Sequence, residues 1–224
     1  MEGIELLGQT ILLGIGAAFT PMLLAMQIVI VSGDPWRRRA VSVAMGGSAA
    51  FLIVGALLFF GFAQVPNVMA ERGALEAWLR IIAAVVLVVV AWVLLRPHPQ
   101  MRERVEDDIS RHVKDASDGA LLGIAFALSI KDVSSFVVLA PALHDIAVSG
   151  EGVAVQSALL LVLFGLALLP VLGPPAVRLT FGHGADAAFG KAYQFTMSHQ
   201  FQLVASMALV IAAYLAVTGV TQLV

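Results

Sequence analysis

The stretch "FALSIKDVSSFVVL" (126–139) sets a lysine, Lys131, beside an aspartate, Asp132, in otherwise almost wholly apolar surroundings. An ammonium and a carboxylate can carry protons or grip charged solutes. Their role therefore turns on the solvent around them. Three hydroxyls, Ser129, Ser134 and Ser135, flank the pair. A second stretch, "AFTPMLLAMQ" (18–27), carries Thr20, Pro21 and Gln27. Pro21 has no N–H and its ring clashes with the Ala17 carbonyl, so a helix through it must kink or break. The freed carbonyl needs a donor, which Thr20 or the Lys131 ammonium could supply. The serines either line a cavity or bond back to their own helix.

Other chemistries are missing. Without cysteine there is no disulfide exchange, thiolate metal site or Cys nucleophile. His98, His112, His144, His183 and His199 stand at no metal-ligand spacing. No nucleotide-binding loop, catalytic triad or paired-carboxylate motif appears, so neither an enzyme nor ATP-driven transport is expected, and neither metal nor cofactor. A net charge of −2 and a pI near 6.2 predict no nucleic-acid partner.

The solvent follows from composition. The chain is 60% hydrophobic and 12% charged, with mean hydropathy +0.95, whereas soluble domains carry about 25% charged residues. Runs such as 81–95 and 203–217 hold no charge, and each belongs to a segment close to the roughly 20 residues that span a bilayer core. The expectation is an all-α integral membrane protein with six transmembrane helices near 5–31, 40–63, 76–95, 119–143, 153–173 and 200–223. The start, "MEGIELLGQ", lacks a basic n-region, so the first span is expected to be retained. Residues 1–95 then form one three-helix half, 96–118 a charged cytoplasmic linker and 119–224 the second half.

On this layout Lys131 lies about 17 Å into its helix, near the bilayer centre. A charge there costs at least about 2.5–3.5 kcal/mol. Neighbouring helical positions diverge by about 100°, so the two charges cannot pair well with each other. Two readings stay open: a proton- or substrate-linked site in a central cavity, or a structural contact pinning the fourth span against the first. Gln27, one to two turns beyond Pro21, is a further candidate for the cavity wall.

Connections one, three and five carry ten Lys and Arg, against two, Arg72 and Arg80, assigned to the termini and to connections two and four. The positive-inside rule then puts both termini outside and the linker in the cytoplasm. Shifting the chain by 109 residues aligns "LLGIGAAFTPMLLAMQIVI" (12–30) with "LLGIAFALSIKDVSSFVVL" (121–139), Thr20 falling on Ser129. Three spans per copy force the second copy in upside down, giving two inverted three-helix repeats with the site at their midplane. Gly46, Gly47, Ala50 and Gly55 read as a close-packing face. "WRRR" (36–39) reads as an anchor on anionic headgroups.

The segment "LLGIGAAFTPMLLAMQIVIVSGDPWRRRAVSVAMGG" resembles the opening of the Sap/GAP family, the sulfolipid- and glycopeptidolipid-addressing proteins. "GIAFALSIKDVSSFVVLAPALHDIA" is similar to the start of that family's second half. The resemblance covers essentially the whole chain. It implies membership of the LysE exporter superfamily and movement of lipids or small solutes across the bacterial inner membrane. The superfamily's amino-acid exporters usually show Pro-Gly-Pro where this chain has Thr20, Pro21 and Met22, and only the proline carries over. The expected function is a secondary transporter for a lipid or small amphiphile, with proton coupling through Asp132 as a hypothesis. Alternatives are an exporter of cations or amino acids, and a non-transporting scaffold docking through 96–118. Membrane lipids, the solute and a second copy in a homodimer are the expected partners.

Overall fold

The structure is a computed structural model describing residues 3–64, 72–96, 113 and 116–223. Its elements are helical throughout the described residues: α1 (Gly3–Ala17), α2 (Pro21–Val31), α3 (Trp36–Ala63), α4 (Arg72–Leu95), α5 (Asp118–Lys131), α6 (Val133–Val148), α7 (Val153–Ala167), α8 (Leu169–Phe181), a short 3-10 turn (Gly182–Ala185) and α9 (Asp186–Leu223). Most of the predicted linker, 97–112 and 114–115, lies outside the described residues.

Among the described residues three helical stretches are long and apolar enough to cross a bilayer: Trp36–Ala63, Ala77–Leu95 and Phe201–Thr221. Three bent pairs supply further crossings if each counts as one span. α1 and α2 meet at 67°, α5 and α6 at 66°, and α7 meets the helix that begins at Leu169 at 74°. With bends this large the two halves of a pair cannot both run along the membrane normal.

Local chemistry accounts for each bend. Pro21 opens α2 and cannot donate to Ala17. At the second bend no proline is present. Instead Asp132, with φ −78° and ψ 69°, turns the chain and caps α6 by accepting the Ser135 N–H. At the third, Pro170 follows the bend residue Leu168 and stands in the first turn of α8. The fifth span expected at 153–173 stops just before Pro174. In fact Pro170, Pro174 and Pro175 all lie within α8, which runs on to Phe181.

The straight and bent elements pack in pairs. α4 runs along α9, α3 along α5, α1 against α7 and α6, and α2 against α8. Small residues set the closest approach. A Cβ on Gly46 would stand 2.2 Å from the Leu122 carbonyl oxygen on α5, so only glycine lets those backbones meet. Gly55 receives the Phe164 ring in the same way. Phe51, Leu139, Leu143 and Ile146 fill the shared interior, with Phe51 and Phe136 in ring contact at 5.2 Å.

Candidate functional site

The site is built from the first two bends. Asp132 sits between α5 and α6, half-buried, with every contact on its own N-cap turn. Its Oδ1 accepts from Ser134 Oγ at 2.6 Å and from the Ser135 N–H at 3.4 Å, and its Oδ2 lies 2.8 Å from Ser135 Oγ. Ser135 Oγ also donates to the Ala17 carbonyl at 3.0 Å. That is the carbonyl Pro21 leaves unserved. The donor is therefore Ser135, where the sequence reading offered Thr20 or Lys131. This contact ties the second bend to the first.

Lys131 points the other way. It is the last residue of α5, exposed, beside the exposed apolar side chains of Ile130 and Val133. It has no hydrogen-bond or ion-pair partner among the described residues. Each charge has the sign favoured by its helix end, cation at the C-terminus of α5 and carboxylate at the N-terminus of α6. The pair thus neutralises both faces of one break without bonding to each other.

Thr20 is the N-cap residue of α2. It is 5% exposed, and its hydroxyl meets no partner among the described residues. Pro21 is half-buried beside it. A cavity of about 20 Å³, room for one water, opens near both bends between Gly16, Phe19, Ser134, Ser135, Leu87 and Met207. Asp132 and Ser134 therefore cluster, Lys131 adjoins them facing out, and Ser135 joins them to the break that holds Thr20 and Pro21.

The remaining candidates stand apart. Ser129 is buried and donates back to Ala125 O at 2.8 Å, the self-bonding alternative. Gln27 is fully buried and away from the α5–α6 break. Its Nε2 donates to Ala40 O on α3 at 3.1 Å and to Val171 O on α8 at 2.7 Å. Pro175 denies Val171 its helical donor, so Gln27 does inside α8 what Ser135 does at the first bend.

One polar cluster escaped the sequence reading. Arg80 on α4 donates to Asp145 Oδ2 on α6 at 2.7 Å, with side chains only 3% and 2% exposed. His144 Nδ1 lies 3.4 Å from the other carboxylate oxygen, and its ring meets Phe62 edge-on at 5.3 Å. The reading counted Arg80 among outer cations and cut the fourth span at 143, which put His144 and Asp145 in a loop. Both lie inside α6, which continues to Val148. A usable signal was present: "VVLAPALHDIAV" (137–148) stays apolar on both sides of the two polar residues. Among the described residues no three His, Asp or Glu side chains converge as metal ligands.

A family model described as Sap, sulfolipid-1-addressing protein, matches residues 10–221. No curated protein and no solved structure matches the chain.

Proposed function

The chain belongs to the Sap, sulfolipid-1-addressing protein, family, and from that premise we propose that it is a secondary transporter moving a lipid or small amphiphile across the inner membrane. Family membership and the apolar helices support the coarser statement, a membrane protein with a role in lipid addressing or export. The finer reading is ours. Each bent pair is one span, so six spans form two inverted three-span halves of LysE type, with both termini outside and no enzymatic step. The solute site is the meeting of the first two bends.

One observation carries this. Two helix breaks within apolar spans are bonded to each other through Ser135 and Ala17, and one of them bears an ammonium turned outward and a carboxylate turned inward. Backbone breaks at membrane depth are tolerated where they face protein or a wet cavity, and transporters build solute sites from such half-helices. In this reading Lys131 meets the polar part of the solute, Asp132 and Ser134 form the inner wall, and Thr20 and Pro21 the facing one.

The test is translocation of labelled amphiphiles by the purified protein in proteoliposomes, alongside Lys131→Met and Asp132→Ala. Transport by the parent is expected, with a loss of roughly tenfold or more in both variants, at unchanged thermal stability for Lys131→Met and with a drop of about 0.5–2 kcal/mol for Asp132→Ala, which loses the α6 cap. Equal rates in all three, or none in the parent for any amphiphile offered, would sink the proposal.

A further inference from the structure

Counting protons around Ser135 gives one more conclusion. Its hydroxyl has a single hydrogen and two acceptors, the Ala17 carbonyl at 3.0 Å and Asp132 Oδ2 at 2.8 Å. With Asp132 ionised, both contacts compete for that hydrogen. With Asp132 protonated on Oδ2, the acid donates to Ser135 Oγ, Ser135 donates to Ala17, and Oδ1 still accepts from Ser134 and the Ser135 N–H. Only the second arrangement gives every short contact its own hydrogen.

We propose that Asp132, Ser135 and the Ala17 carbonyl form a proton-binding latch that holds the α1–α2 break against the α5–α6 break while Asp132 carries a proton. This rests on the transport reading and adds to it the coupling ion and the bond that ion controls. On release, the Asp132 O–H bond breaks and its proton passes to water reaching the exposed side of the break. The Ser135 hydroxyl then swings to the carboxylate. The Ala17 carbonyl, which Pro21 cannot serve, loses its donor, and the two broken spans lose their polar link. The charged side chains on the elements packed around Asp132 do not duplicate this role. Lys131 adjoins it along the chain without bonding to it. α1 offers Glu5, α3 offers Arg37, Arg38 and Arg39, α4 offers Arg80, which is bonded to Asp145, and α7 offers none; among the described side chains none of these bonds to Asp132.

The chain has no cysteine, which makes thiol labelling a clean readout. Val138, buried on α6 and lining the small cavity, becomes cysteine, and its labelling rate at each pH is divided by that of a cysteine at exposed Ser32. The parent should label slowly at low pH and faster, by roughly tenfold, at high pH. Asp132→Asn presents an amide N–H where the acid O–H stood, so it should label slowly throughout. Ser135→Ala should label fast throughout, and Ser135→Thr, which keeps the hydroxyl, should follow the parent. Infrared titration of the otherwise unsubstituted protein should show a protonated carboxyl band that Asp132→Asn removes. Absence of that band at every pH, or slow labelling in Ser135→Ala, would overturn the latch. If the latch titrates while the reconstituted protein moves no amphiphile, the transport reading fails and the latch stands. If transport needs Asp132 but labelling ignores pH, the latch fails alone.

Discussion

Lys131 and Asp132 share a peptide bond but not an environment. The carboxylate is drawn into the first turn of α6 by two hydroxyls and a backbone N–H, while the ammonium faces out beside Ile130 and Val133. Removing the lysine takes away no hydrogen bond or ion pair among the described residues. Lys131→Met should therefore leave thermal stability in detergent within about 0.5 kcal/mol of the parent, which makes any loss of transport interpretable. The Arg80–Asp145 pair behaves oppositely, since truncating one partner strands a buried charge. Arg80→Gln or Asp145→Asn alone should each cost about 3–5 kcal/mol, and the double variant less than the sum; thermal unfolding of all three checks this. Residue types were legible from sequence wherever a charge interrupted an apolar run, hence Lys131 and Asp132. Arg80 and Asp145 were passed over because each lies near a span end, where a loop assignment looks harmless.

Helix breaks follow simple rules in this chain, and two prolines share one remedy. Pro21 and Pro175 each leave a carbonyl four residues back without its helical donor, and a side chain from another element supplies it, Ser135 for Ala17 and Gln27 for Val171. Gln27→Leu should therefore cost about 1–3 kcal/mol through an unserved carbonyl and a looser α2–α8 contact, read as a lowered Tm. Close helix approach gives a second test. Gly46→Ala drives a methyl into the Leu122 carbonyl and should cost about 1–3 kcal/mol. Gly61→Ala, with nothing within 4 Å, should be neutral or stabilising by about 0.4–1 kcal/mol. The first break was readable because proline announces itself. The second was not, because an aspartate acting as a cap looks in sequence like a charge in need of a partner. The third bend was missed, since the expected span 153–173 runs straight through Leu168 and stops inside α8, where Pro174 and Pro175 sit within a continuing helix.

Composition made the membrane setting plain, and the three straight spans could be placed to within a few residues, because an unbroken apolar helix needs no partner to be recognised. Which side chains join residues 3–64 to residues 116–223 was beyond sequence, since bonds such as Ser135–Ala17 link residues 118 apart. The orientation expected from the basic connections has its own check. Single cysteines at Gly33 and Gly150, in alternate turns, should react with an impermeant thiol reagent from opposite faces of intact cells, Gly150 from outside. Reaction from the same face would refute the six-span layout. The bends also have a mechanical meaning. α1 is a rod of 15 residues, about 22 Å long, whose inner end rests on the Ser135 bond. Turned about that end, it sweeps its far tip by about 0.4 Å per degree. One hydrogen bond at the fulcrum thus sets the position of a lever arm about 22 Å long.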